Sequence, residues 1–290
     1  MPSADTAVRT PLTPFVASRH SVGPHQLGSE LRLIFGRRRN LAMLVLLAAI
    51  PVFIGIAVKV STPRPGEGPP FISELTNNGL FLAFTALAVC LPVFLPLATA
   101  VVTGDAVAGE AGAGTLRYLL AIPVSRTRLL MVKSLGVLTY VAAAVLLVTV
   151  CGLVTGLVLF RVDGFTLLSG DTVSVGNGLL RSAGVALYVL VDLVGLVAIG
   201  MFFSTLTEVP IGAMAATVVT AIVFAVLDSV PQLGSFRDIL LTHHWLSFDE
   251  LLRSSPDAGS LLRWSLLSLA YAAVFFSAAW ARITTADVSG

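Results

Sequence analysis

Long, nearly unbroken apolar stretches alternate with shorter polar connections along this chain. They run at about 41–60, 79–102, 131–160, 183–206, 209–229 and 261–280. A helix rises 1.5 Å per residue, so ~20 residues cross the ~30 Å of hydrocarbon in a bilayer, and each stretch meets that length. The segment ahead of them has a different pattern. From His25 to Arg39, Leu27, Leu31, Ile34 and Phe35 recur at helical spacing, while Glu30, Arg32 and the cluster Arg37, Arg38 and Arg39 stay polar. That pattern predicts an amphipathic helix lying in the membrane surface and leading into the first span. A plain cytoplasmic stalk is the alternative. Residues 1–24 lack periodicity, hold Pro2, Pro11, Pro14 and Pro24, and read as a flexible cytoplasmic tail, and residues 283–290 are expected to be a second cytoplasmic tail. The expected fold is all-α: a polytopic integral membrane protein of six transmembrane helices over 25–282.

Composition agrees with the pattern. Of 290 residues, 56% are hydrophobic and 12% are charged, and mean hydropathy is +0.92. A soluble domain carries roughly a quarter charged residues, so lipid must replace water around much of this surface. A net charge of +2 is too small to argue for nucleic acid. Cys90 and Cys151 both lie inside apolar runs and read as small hydrophobes. The polar start of the chain does not have the form of a secretory signal.

The Lys and Arg balance sets the expected orientation. Arg37, Arg38 and Arg39 stand directly before the first span, and Arg117, Arg126, Arg128 and Lys133 lie between spans two and three. The positive-inside tendency places these segments and both termini in the cytoplasm, in a cell inner membrane. Lys59 is expected to snorkel to the far interface. Residues 230–260, with Phe236, Ile239, Leu240, Trp245 and Leu246, predict short helices on or in the outer leaflet, and Trp245 and Trp264 read as interfacial anchors.

The connection Gly104–Lys133, GDAVAGEAGAGTLRYLLAIPVSRTRLLMVK, is too polar to cross a membrane and too short for a separate domain. A short helix parallel to the membrane is expected over 106–118. Pro123 then breaks the chain, and Ser125 can cap the helix entering span three. Glu110, Gly114, Thr115, Leu116, Leu119, Leu120, Pro123, Val124, Ser125, Arg126 and Lys133 occur in an ordered pattern. In that pattern and position the segment resembles the first cytoplasmic loop of type-2 ATP-binding-cassette (ABC) transporter permeases.

The resemblance implies a dimeric permease, homodimeric or heterodimeric, whose first cytoplasmic loop is a coupling helix. A separate ATPase subunit, which would hold ATP and Mg, docks on it. The coupling residues it implies are Asp105, Glu110, Gly114, Thr115, Leu116, Arg117, Pro123 and Arg126, with Glu110 as the charge contact to the partner. Arg117 and Arg126 are equally suited to phospholipid headgroups. The chain has no G-x-x-x-x-G-K-[ST] phosphate loop, and the Gly-rich stretch GEAGAGT lacks the required Lys, so no nucleotide or other cofactor is expected in this chain.

Asp192, inside span four, is the costliest residue. A carboxylate there costs roughly 2.5–3.5 kcal/mol on the lenient insertion scale. It can line a polar pathway, pair across the bundle or remain protonated, and water access from the outer half of the span is the plain alternative. Pro92 and Pro96 predict a kink in span two, and Gly152 and Gly156 a close helix contact for span three. His243 and His244 lack the ordered third ligand a metal needs. An exporting permease is the leading reading. An intramembrane enzyme, or a scaffold docking a cytoplasmic partner, remains the alternative, and the substrate is not legible.

Overall fold

The computed structural model describes residues 24–61, 78–112, 126–160, 165–166 and 171–285. All but the last residue of the expected tail over 1–24, nearly all of the 61–78 loop, and Gly114, Thr115, Leu116, Arg117 and Pro123 lie outside the described residues.

The described chain is helical. Its elements are α1 (Pro24–Gly36), α2 (Arg38–Ser61), α3 (Phe81–Cys90), α4 (Phe94–Ala106), α5 (Ala108–Gly112), α6 (Arg126–Leu159), α7 (Val175–Leu206), α8 (Pro210–Asp228) and α9 (Ala258–Thr285). Two 3₁₀ segments, Pro231–Ile239 and Ser247–Leu252, fill the connection between α8 and α9. The exception to the all-α expectation is a two-residue antiparallel ladder, β1 (Phe165–Thr166) with β2 (Thr172–Val173).

Five helices (α2, α6, α7, α8 and α9) are long and apolar enough to cross a membrane, and the α3–α4 pair, bent by 56°, makes a sixth if taken as one span. The protein is thus a multi-pass helical membrane protein. The bend falls over Leu91–Val93, where Pro92 cannot donate an N–H to the helical ladder. Span four begins earlier than its hydropathy suggests, because Ser174 caps Val175–Leu206 by accepting from the Asn177 N–H at 3.3 Å.

Helix α7 is the hub. Within its apolar window 72% of residues are buried, against 17% for α2, α8 and α9. It packs on α4, α6 and α8, and most extensively on α9. Helix α3 and Gly79 just ahead of it pack on α6 at the two glycines singled out by their spacing. A Cβ on Gly152 would lie 2.6 Å from the Ala83 Cα, and one on Gly156 would collide with the Gly79 carbonyl. Those two positions let the backbones approach directly.

The two ends of the bundle differ in charge. The end that carries α1 and α5, called proximal below, holds Arg32, Arg37, Arg38, Arg39, Arg126, Arg128, Lys133 and Arg282 against Glu30, Asp105, Glu110 and Glu208. The distal end holds Lys59, Arg181, Arg237, Arg253 and Arg263 against Asp171, Asp228, Asp238, Asp249, Glu250 and Asp257. At the distal end Lys59 donates to the Leu159 carbonyl at 2.7 Å and lies over the Phe160 ring. Trp245, expected at an interface, is instead buried, because the α8–α9 connection folds back onto the bundle and places Leu240, Leu241, Trp245 and Phe248 inside. Trp264 stacks on His244 at 4.8 Å between ring centres.

Candidate functional site

At the proximal end, α1 lies against α6 with Ile34 buried and Glu30 turned toward the bundle. The contact is close because Gly136 of α6 has no side chain. A Cβ there would sit 2.9 Å from both Glu30 Cγ and Ile34 Cδ1. Three residues earlier, on the same side of α6, stands Lys133, 2% exposed. Its Nζ lies 2.5 Å from Glu110 Oε1 of α5 and 3.3 Å from Glu30 Oε1 of α1. One ammonium thus joins three elements. The charges attract strongly at this depth, but desolvation offsets much of the gain. The arrangement therefore contributes definition of position more than stability.

Two further contacts fix the same corner. Arg37 and Arg39, at the α1–α2 junction, both ion-pair with Asp105 at the end of α4. Ser204, in the last turn of α7, accepts from the N–H groups of Val107 at 3.1 Å and Ala108 at 3.0 Å, and donates to the Gly104 carbonyl at 3.1 Å. One hydroxyl therefore closes the end of α4 and the start of α5 onto α7. Gly112 comes close to the turn between α7 and α8: a Cβ there would meet the Glu208 carbonyl at 2.6 Å. A cavity of about 20 Å³ remains among Glu30, Asn40, Asp105, Glu110 and Lys133, room for about one water molecule.

The structure thus brings Asp105 and Glu110, both read from the sequence, into one polar cluster. Glu110 faces Lys133 of its own chain. The helix expected over 106–118 is present as α5 in its described part, and the rest of that segment lies outside the described residues. Arg126 is placed elsewhere, donating to the Ile283 carbonyl at 2.9 Å and the Thr284 carbonyl at 3.3 Å in the last turn of α9. That is a favourable place for a cation, since the last carbonyls of a helix lack intrahelical donors. Beside it, Trp280 Nε1 donates to Thr127 Oγ1 at 2.9 Å. Glu30, Lys133 and Ser204 complete the cluster. The sequence hint was a lysine in the apolar run LLMVKSLGV, which demands a partner. The partner Glu30 is too remote in sequence for any pattern to name.

Asp192 lies elsewhere, in the middle of α7 and 1% exposed. Its Oδ1 accepts from Ser268 Oγ of α9 at 3.0 Å, while Oδ2 has no hydrogen-bond partner among the described residues. One turn earlier on the same face, Tyr188 donates to the His244 carbonyl at 2.8 Å. The carboxyl is paired across the bundle with a hydroxyl, one of the outcomes its position allowed.

At the distal end, Asp228 at the end of α8 holds His243 Nδ1 and, at 3.2 Å, Arg237 Nε. His243, His244, Asp238, Arg263 and Trp264 line an open cleft of about 800 Å³. Burial, and then the neighbouring His243, hold the His244 imidazole below its ordinary pKa of 6.5. Asp257 caps α9, accepting from Ser260 Oγ at 2.5 Å and the Gly259 N–H at 3.0 Å. These bonds hold its carboxyl below the usual carboxylate range, the Ser260 hydroxyl first among them.

Residues 43–289 match the model of a family described as "Protein of unknown function (DUF2705)". No curated protein matches the chain.

Proposed function

The chain belongs to the DUF2705 family, and we propose that it is the membrane permease subunit of an ABC transporter, an exporter driven by a separate ATPase. The resemblance of 104–133 to the coupling loop of type-2 permeases is one support. The observation that carries the reading is the Lys133–Glu110–Glu30 cluster with the Ser204 clasp beside it. A handle transmits force only if it is stiff and joined to what it moves. Here α5 is joined to α1, α6 and α7.

In this reading the six spans place both termini in the cytoplasm of a cell inner membrane, as the basic balance of the proximal end favours. The ATPase binds ATP and Mg, grips the segment after α5, and pushes the corner as one body. Glu110 acts as a positioning residue for that segment, and Asp105 does the same through Arg37 and Arg39. Arg126 joins α6 to α9. The sparsely buried faces of α2, α8 and α9 meet lipid or the second permease of a homodimer or heterodimer.

Purification in mild detergent, with partners identified by mass spectrometry, tests the proposal. An ATPase is expected with the wild type and absent from Gly114→Trp, whose side chain blocks the docking segment. ATP-dependent solute movement in reconstituted vesicles separates a transporter from a scaffold. A chain that purifies without any ATPase, from cells that express one, overturns the reading.

A further inference from the structure

Helix α1 meets α2 at an elbow, with Arg37 between them. Four arginines crowd it: Arg32 on α1, then Arg37, Arg38 and Arg39 in succession. All four are exposed. A Cβ on Gly36 would meet nothing within 4 Å, so no described residue covers the turn of the elbow.

The charges there do not balance. Asp105 pairs with both Arg37 and Arg39, one carboxylate for two guanidinium groups. Glu30, on α1, is held by Lys133. Arg32 and Arg38 have no ion pair among the described residues. Other basic residues of the proximal end are committed, Lys133 to its two carboxylates and Arg126 to the last carbonyls of α9.

The elbow also has a defined depth. Helix α2 is one of the five able to cross a membrane, it begins at Arg38, and its apolar run begins at Leu41. Arg38 therefore stands where the hydrocarbon ends. Leu41, Val45, Val52 and Ile56 follow it three, four, seven and four residues apart, which puts all five on one face of the helix. Each of the four is exposed, Leu41 at 55% and Val45 at 62%. A guanidinium without a partner thus heads an open apolar stripe.

We propose that this elbow binds an anionic phospholipid of the proximal leaflet, Arg38 holding the phosphate and an acyl chain lying along Leu41 and Val45. A guanidinium presents paired N–H donors that match phosphate oxygens. The stripe below it takes the chain, which a soluble anion lacks. Arg32 adds attraction from α1, and the excess of cations over carboxylates makes the preference anionic. The site does not depend on the transport reading. Because α1 also carries Glu30, a lipid seated here ties the Lys133 corner to the bilayer.

The test places the full chain in phosphatidylcholine vesicles with a trace of one of two probes, phosphatidylglycerol or phosphatidylcholine, each photoreactive near its acyl ester. Labelled residues are mapped by mass spectrometry. Leu41 and Val45 should take about tenfold more label from the phosphatidylglycerol probe. Arg32→Gln combined with Arg38→Gln should bring the two probes to within about twofold. Val60, 76% exposed at the distal end of α2, should keep its label and show that the variant is folded and inserted. High salt should erode the wild-type preference in the same way, a result that needs no variant. Equal labelling of Leu41 and Val45 by both probes overturns the proposal. So does a preference that survives salt or the double substitution, or a cross-link between Leu41 of two copies showing that a second chain covers the stripe.

Discussion

Lys133 of α6 stands between two carboxylates, 2.5 Å from Glu110 and 3.3 Å from Glu30, so one ammonium determines where both α1 and α5 rest. Removing a single partner from such a buried group leaves uncompensated charge, at a cost of about 3–5 kcal/mol. Lys133→Met is expected to lower the thermal midpoint in detergent by a corresponding amount. Adding Glu30→Gln and Glu110→Gln to that variant should restore most of the loss. A triple variant no more stable than Lys133→Met alone would show that the lysine acts through packing, not charge.

The close approach of α3 and α6 predicts a second result. Gly156→Leu places side-chain atoms where the Gly79 carbonyl now lies, and overpacking of this kind costs about 1–3 kcal/mol. Val150→Leu, on the exposed face of the same helix, should change stability by less than about 0.5 kcal/mol. Unfolding of the purified variants in detergent compares the two directly.

How much of this was legible in the sequence depends on the range of the interaction. The spans, the entry helix and the Gly152–Gly156 face follow from periodicity and residue size, which are local. The bend in span two was readable from Pro92 for the same reason. The burial of Trp245 was not, because a tryptophan near a span end fits an interface or a re-entering loop equally well. Glu110 was read as facing a partner. Its contact with Lys133 depends on how α5 comes to rest against α6, and its shared cation with Glu30 crosses from α1 to α6. Residue chemistry signalled that Lys133 needed company; only the fold supplied its identity.

Asp192 and Ser268 form a pair whose value can be isolated. Ser268→Ala removes the donor from a buried carboxyl and should destabilise the bundle by about 1–3 kcal/mol. The same substitution should cost less in an Asp192→Leu background, since no acceptor is then stranded. Asp192→Asn keeps an acceptor for Ser268 and should leave stability unchanged or improved. Equal effects of Ser268→Ala in both backgrounds would mean that the hydrogen bond contributes nothing.

His244 predicts a pH dependence confined to the distal end. Its pKa is lower in the folded protein than the ordinary 6.5, so the unfolded chain binds more protons between those two values. Folded stability is therefore complete above about 6.5 and falls as pH drops through the window below it. Because His244 stacks on Trp264, indole fluorescence should change in that window, and the change should vanish in His244→Phe. A response that survives the substitution would point to another group.

Membrane orientation has its own check. Cysteines introduced at Ser29 and Ser229, both exposed and at opposite ends, should react differently with an impermeant thiol reagent. Ser229→Cys is expected to label in intact cells and Ser29→Cys only after permeabilisation. The reverse pattern would invert the topology and place α5 outside.

Helix α6 is about 50 Å long at 1.5 Å per residue and is pinned near one tip by Lys133 and at the other by Lys59 on the Leu159 carbonyl. Fastened in this way, one unbroken helix links the polar corner at the proximal end to the distal end of the bundle. Between its tips, the bare backbone of Gly152 bears directly on Ala83 of α3.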